Sequence, residues 1–358
     1  MDYNSYRRKS REVLVGGVKI GGLSPISIQS MTNTDTNDVK STYEQIKRLE
    51  CAGCDIVRLS VPTLECAEAF TRLKKMGISV PLVADIHFDY KIAVASAKAG
   101  ADKIRINPGN IGSRDKILEV VKACREYRLP IRIGVNSGSL EAHILKKHGA
   151  PTAKALAESA LYHASLLEEL DFSDILISVK ASDVPNMIEA NRILAERTSY
   201  PLHLGVTEAG AGYSAVVKSS VGIGSLLAMG IGDTVRVSLT EKPEEEIRIA
   251  KDILKSLGLR DDAGMDIVSC PTCARTKIKL IELVKEFKKR AEDEGLLDKN
   301  IKVALMGCAV NGPGEAREAD IGIAGGIGEG LLFKKGVTVR KIKEDRLVEE
   351  LISEIKRM

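Results

Sequence analysis

The chain has no apolar run long enough to cross a bilayer, which excludes a protein anchored by membrane-spanning helices. It has no tryptophan, and its 44% hydrophobic and 28% charged content is that of an ordinary enzyme in water. The first residues, MDYNSYRRKSREV, show neither the apolar stretch nor the small-residue cleavage site of a secretory signal. A cytoplasmic protein is therefore expected, with its seven cysteines reduced and serving as thiols or metal ligands. A net charge of +4 is too small to indicate a nucleic-acid partner, although clusters of one sign can still steer a small anion. No glycine-rich dinucleotide fingerprint sits at a strand-to-helix turn, so any redox activity must draw its electrons from a separate donor. Histidine is missing beyond His203, which matters for the metal site argued below.

At 358 residues the chain is long for one domain and suits a large one followed by a small one. Three stretches repeat: AGCDIVRLS at 52–60, AGADKIRIN at 99–107 and GIGDTVRVS at 230–238. In each, glycine ends a helical pattern, an aspartate follows, and a β-branched strand begins. Further short apolar strands lie at 25–30, 81–87, 131–136, 175–180 and 202–208, which makes eight, with amphipathic segments between most of them. Strands alternating with helices over about 240 residues predict a (β/α)8 barrel of the TIM type at 1–258. An open, doubly wound sheet is the alternative.

The two-residue period places Arg58, Asp85 and His87, Arg105 and Asn107, Arg132 and Asn136, Ser178 and Lys180, and Arg236 and Ser238 on one face of their strands. Their alternates are apolar and suit the helix-facing side, so the polar set points into the barrel. Four arginines and a lysine then converge at the C-terminal mouth, where Asp85 and Glu208 neutralise only part of the charge. The remainder calls for an anion, and forked guanidiniums at that density suit a diphosphate. Glu208, in GVTEAG, falls out of the period just past its strand. It is either an ion-pair partner for a mouth arginine or an acid or base beside the anion. The long insertion at 137–174 is a candidate lid, with His143 and His148 solvated.

Past a helix at about 243–257 and a polar linker, residues 265–358 read as a smaller α+β domain. Cys270 and Cys273 sit between a strand and a long charged helix expected over 274–294, whose N-terminus would favour thiolate. Cys308 ends another strand, and a Gly-rich turn carrying Glu315 follows. Three thiolates suit zinc and an iron-sulfur cluster equally. With no histidine available, Glu315 is the nearest fourth ligand, and a hard carboxylate on iron exchanges more readily than thiolate. Cys51, Cys54, Cys66 and Cys124 read as scaffold or core.

Taken together, CPTC, NGPGEA with the following ADIGIAGG, RINPGN, ADIHFD and TEAG resemble the 4-hydroxy-3-methylbut-2-enyl diphosphate synthase family in its two-domain bacterial form, over essentially the whole chain. The resemblance implies a 4Fe-4S cluster on Cys270, Cys273, Cys308 and Glu315. It also implies reductive ring opening of 2-C-methyl-D-erythritol 2,4-cyclodiphosphate. In that scheme Arg58, Arg105, Arg132, Lys180, Arg236 and Ser238 hold the diphosphate, Asp85, His87, Asn107 and Asn136 lie nearby, Glu208 donates a proton, and flavodoxin or ferredoxin supplies electrons. Two readings from other classes remain: a pterin-binding-like barrel transferase with a zinc-stabilised appendage, and a zinc-bearing RNA-binding protein using KLIELVKEFKKR. The barrel's direction adds one expectation. Its last helix ends at the face opposite the mouth, so a homodimer in which each small domain covers the partner's barrel is expected.

Overall fold

The computed structural model describes residues 3–260, 264–308 and 317–358, which form two compact units divided after Arg260. Glu315 lies outside the described residues. In the first unit, a short hairpin of β1 (Val13–Val15) and β2 (Val18–Ile20) precedes eight parallel strands. These are β3 (Ser27–Met31), β4 (Ile56–Ser60), β5 (Leu82–Asp85), β6 (Lys103–Ile106), β7 (Ile131–Asn136), β8 (Ile175–Lys180), β9 (His203–Leu204) and β10 (Thr234–Val235). They pair in the order β8-β7-β6-β5-β4-β3-β10-β9. A parallel bridge between Ile177 and Leu202 links β8 to β9 and closes the circle, so the open-sheet alternative falls.

Helices return over the outside: α1 (Val39–Cys51), α2 (Leu64–Lys75), α3 (Tyr90–Lys98), the single turn α4 (Pro108–Ile111), α5 (Arg114–Glu126), α6 (Ala142–His148), α7 (Ala153–Glu168), α8 (Val184–Arg197), α9 (Gly212–Ala228) and α10 (Pro243–Ser256). Side-chain caps start several of them, including Asp38 on the Ser41 N–H, Thr63 on Cys66 and Asp183 on Asn186. Their apolar stripes join the outward strand residues in one core, which takes in Cys54, Cys66 and Cys124. Burial pushes the Cys54 and Cys124 thiols up to about 12, so both are inert.

The sequence repeat has a structural cause. Asp55, Asp102 and Asp233 each accept the backbone N–H that opens the neighbouring strand, from Ile28 (2.7 Å), Leu82 (2.6 Å) and Leu202 (2.8 Å). Each carboxylate thereby satisfies a donor that parallel pairing leaves free at the barrel's lower rim. The β1–β2 hairpin plugs that same end: Val13, Val15 and Ile20 pack on the inward Ile56, Val83 and Leu176. Gly16, at φ +56°, makes its tight turn. The barrel is apolar at its base and polar above.

In the second unit, β11 (Asp266–Ser269), β12 (Lys302–Met306) and β13 (Ile321–Gly325) run parallel, and β14 (Glu329–Lys334) and β15 (Val337–Lys343) continue the sheet antiparallel. α11 (Leu280–Asp293) and α12 (Leu347–Lys356) cover it through Leu283, Phe287, Leu351 and Ile355. The helix expected from residue 274 begins only at Leu280. Residues 271–279 instead form a loop tied down by Thr276 N–H to the Cys273 carbonyl (2.9 Å) and Lys277 N–H to the Gly307 carbonyl (3.0 Å), with Ile278 buried. Those local anchors replace the first turns of helix. No helix among the described residues is long and apolar enough to cross a membrane.

Candidate functional site

The ladder registers set the mouth residues level with one another: Ser60 with Asp85, Asp85 with Arg105, Arg105 with Arg132, and Asn136 with Lys180. Because the pleat alternates, all of them point inward. They enclose a cavity of about 280 Å³ whose wall includes Arg58, Asp85, His87, Arg105, Arg132, Asn136, Ser178, Lys180, Arg236 and Ser238. Two glycines make room. A Cβ on Gly134 would come within 2.3 Å of Arg105 Nε, and one on Gly205 within 2.6 Å of Lys180 Nζ, so these cations lie across strands that present no side chain.

Among the described residues, Asp85 is the only carboxylate in that wall. It accepts from Arg105 Nη1 at 3.0 Å and lies 3.7 Å from Arg58 Nε and 3.9 Å from His87 Nε2. Burial alone would raise its pKa, but the positive charges of Arg58 and Arg105 together outweigh that and hold it at about 2. The cations remain under-compensated. Burial, aided by the neighbouring guanidiniums, brings Arg58 down to about 10 and lowers Lys180 and Arg132 well below their ordinary values. An arginine keeps its proton, so for Arg132 this amounts to charge without a counter-ion. Its Nε and Nη1 find no partner among the described residues. Such a site attracts and orders an anion with several oxygens.

Other features went unseen in the sequence. Below the cavity lies a second polar layer of Gln29, Lys103, His203 and Thr234, all buried. Lys103 shares its strand face with Arg105, and His203 shares its face with Thr207, so the same two-residue period applied one step lower reveals both. Glu246, on α10, is also buried. It accepts from the Leu239 N–H (3.0 Å) and Ser30 Oγ (3.1 Å), and its Oε2 lies 3.6 Å from Arg236 Nε. Two hydrogen bonds hold the carboxylate with its charge beside Arg236, which makes Glu246 a positioning residue for that arginine. Glu246→Gln keeps the shape but points an amide donor at other donors. The expected result in steady-state kinetics is a KM raised roughly tenfold, equivalent to ~1.4 kcal/mol, with a smaller change in kcat. An equal fall in kcat alone would contradict a positioning role.

Two of the expected site residues do not form part of the cavity wall. Asn107 is buried but caps α4, its side-chain oxygen accepting the Gly109 N–H at 3.1 Å. Glu208 is exposed, one residue past Thr207, which does line the cavity. It holds φ at +52°, a conformation rare for a residue with a Cβ. In the insertion, His148 is half-buried, with its Nε2 2.9 Å from Glu158 Oε2. His143 packs edge-on against Tyr162.

In the second unit, β11 and β12 are parallel neighbours with Ser269 level with Leu305. Cys270 and Cys308 therefore leave the same sheet edge, and Cys270 Sγ accepts the Gly307 N–H at 3.2 Å. Cys273 is exposed on the following loop. The Arg275 backbone N–H, helped by the Arg275 side chain, lowers its thiol below the ordinary value, so local amides rather than a helix N-terminus favour thiolate here. Among the described residues no three ligating side chains converge on one point, as a single ion would require. Cys270, Cys273 and Cys308 supply three thiols from the ends of β11 and β12 and the loop between, the donor type that iron-sulfur clusters take.

Known proteins bear out the architecture and sharpen the identity. Among solved structures, a type I 3-dehydroquinate dehydratase from Clostridium difficile matches with a TM-score of 0.51 at 15% identity over 70% of this chain and 98% of its own, which shows the barrel fold alone. A relative from Clostridium perfringens, 4-hydroxy-3-methylbut-2-en-1-yl diphosphate synthase (flavodoxin), is 58% identical over 97% of this chain and 98% of its own. Its namesake from Ruminiclostridium cellulolyticum is 58% identical over 98% of each. Family models match twice, as the GcpE TIM-barrel domain at residues 10–251 and the GcpE protein C-terminal domain at 266–357. With both units matched and the relatives aligned nearly end to end, the chain belongs to the GcpE family of 4-hydroxy-3-methylbut-2-en-1-yl diphosphate synthases.

Proposed function

We propose that the cationic mouth holds the diphosphate of 2-C-methyl-D-erythritol 2,4-cyclodiphosphate, with Arg58, Arg105, Arg132, Lys180, Arg236 and Ser238 as its donors. The observation that carries this is a cavity of about 280 Å³ walled, among the described residues, by four arginines and a lysine against one carboxylate. The chain is an oxidoreductase that converts this substrate to 4-hydroxy-3-methylbut-2-enyl diphosphate, and flavodoxin, named with its relatives, is its electron donor. Family membership sets aside the pterin-binding-like transferase and the RNA-binding readings.

The reaction takes up two electrons and two protons: one ring C–O bond breaks, the neighbouring hydroxyl leaves as water, and a double bond forms between the two carbons. Cys270, Cys273, Cys308 and Glu315 would hold a 4Fe-4S cluster. When bound, that cluster supplies the electrons one at a time and acts as a Lewis acid toward the C–O bond. The chain's own side chains do the rest. Arginine forks fix the diphosphate and neutralise charge on the oxygen released as the ring opens. Asp85 keeps Arg58 and Arg105 oriented, while His87 and Asn136 complete the surroundings. Glu208, beside the mouth, delivers a proton to the departing hydroxyl.

A homodimer completes the reading, one chain's small domain serving its partner's barrel. Support comes from the barrel's lower rim. α10 runs back against the strands, and Arg260 Nη1 is bonded to Asp55 Oδ2 at 2.7 Å, immediately before β4. The chain thus leaves the barrel at the face opposite the mouth.

Anaerobic purification tests the cofactor. Brown protein with iron and sulfide in equal amounts and broad absorbance near about 400 nm, the charge transfer of thiolate-bound iron, is the expected result. Zinc in place of iron would overturn it.

A further inference from the structure

Immediately beneath the proposed diphosphate site the barrel holds two titratable side chains to which the reaction assigns nothing. Lys103 and His203 are both fully buried. Lys103 Nζ has one neutral contact, Gln29 Oε1 at 3.4 Å. Neither ring nitrogen of His203 meets a hydrogen-bond partner among the described residues, nor does the neighbouring Thr234 Oγ1 or Gln29 Nε2. The charges facing this layer come almost wholly from one sign. Arg58 on β4, Arg105 on β6, Arg132 on β7, Lys180 on β8 and Arg236 beyond β10 lie above it, against Asp85 on β5 and Glu246 on α10. β3 contributes only the uncharged Ser27 and Gln29, and below lie the apolar plug residues Val13, Val15 and Ile20. Asp85 and Glu246 are already engaged by the arginines they touch.

We propose that Lys103 and His203 form a proton-accepting floor to the substrate pocket, so that binding of the cyclic diphosphate is accompanied by uptake of a proton from solvent into the barrel. This rests on the mouth being the diphosphate site. In the free protein, burial first and the repulsion of Arg132 second keep both groups below their ordinary pKa values, which favours the neutral forms, each with a nitrogen lone pair open to a proton within a nest of cations. A bound dianion reverses that field. One strand layer up is about 7 Å, and a unit negative charge at that distance multiplies a protonation constant roughly 50-fold at an effective dielectric of about 20. The floor then takes up a proton and neutralises part of the ligand's charge from below, where the rigid arginines of the wall cannot reach.

The substrate's chemistry makes the test clean. Both phosphorus atoms of the cyclic diphosphate are diesters, each with one strongly acidic oxygen, so the ligand does not titrate near neutral pH. Calorimetry of the cluster-loaded full chain with the cyclic diphosphate, without reductant and so without turnover, is run at one pH in buffers of different ionisation enthalpy. The expected binding enthalpy varies linearly with buffer enthalpy, with a slope of about one proton taken up. Affinity should also weaken as pH rises, because a complex that binds a proton is disfavoured where protons are scarce. Lys103→Met, which replaces a buried amine with an apolar chain of similar length, and His203→Gln should each reduce the slope. Binding with no buffer dependence overturns the inference while leaving the diphosphate site standing. So does a slope that neither variant changes, since the proton then goes to the rim. A complete lack of binding heat and of competition would instead remove the diphosphate reading itself.

Discussion

Glu208→Gln is expected to bind the cyclic diphosphate as the parent does and to turn it over roughly 100- to 10,000-fold more slowly, the usual cost of losing a positioned general acid. The separation of binding from rate follows from where the residue sits. Arg58, Arg105, Arg132, Lys180 and Arg236 form the cavity wall, whereas Glu208 is exposed beside it. Removing its charge therefore takes no hydrogen bond away from the diphosphate. Its backbone supports a functional reading as well. A residue with a Cβ held at φ +52° costs on the order of 1 kcal/mol, and it comes just before Gly210 and Gly212, which adopt positive φ freely. Glu208→Gly separates the two effects: it relieves the backbone and should melt at the parent's temperature or slightly above, yet remain as slow as the glutamine variant. Steady-state rates with equilibrium binding and a thermal melt decide the matter. A glutamine variant with an unchanged rate would return Glu208 to the role of a surface ion-pair partner.

The eight strands were legible because parallel strands covered on both faces must be apolar outward, and any polar residue at the opposite parity then has only the barrel interior to enter. Arg58, Arg105, Arg132, Lys180 and Arg236 announce themselves on that ground. The repeat of glycine then aspartate before a strand was legible too, although its reason, a carboxylate on a backbone N–H at the start of the preceding strand, needed coordinates. The plug hairpin was missed. Val-Gly-Gly-Val between two short apolar triplets is a turn signal, but strands of three residues carry too little periodicity to stand out. The start of α11 was misread for a different reason: Ala274, Arg275, Lys277 and Lys279 suit a helix locally, and tertiary anchors at Thr276, Lys277 and Ile278 override it. Glu246 was invisible because its three partners come from β3, from beyond β10 and from the loop after it, a convergence that no local pattern encodes.

Cys308→Ser is expected to lose iron and activity together, since an alkoxyl oxygen is a poor substitute for thiolate on iron, whereas Glu315→Ala should keep part of its iron while losing turnover. Neither result says which chain's cysteines serve which barrel, and the path of the backbone makes that question testable. Arg260 is pinned to Asp55 at the lower rim, opposite the mouth. From Gly258 to Asp266 the chain spans at most about 30 Å, at roughly 3.3 to 3.6 Å per residue. That length would have to climb the full height of the barrel and clear its helical wall to reach the mouth above. A two-fold arrangement in which each small domain serves the partner's barrel avoids the climb and closes on itself without leaving a free surface. Mixing Glu208→Gln chains with Cys308→Ser chains under conditions that exchange subunits should then produce heterodimers containing one intact barrel opposite one intact cluster. Activity should reappear from two inactive parents, rising toward about a quarter of the wild-type value at equal mixing, because half of the dimers are hybrids and each has one working site of its two. Iron content measured on the same mixture guards against simple reassembly of the cluster. If labelled chains are seen to exchange and the mixture stays inactive, barrel and cluster within one chain must work together, and the two-chain site is wrong.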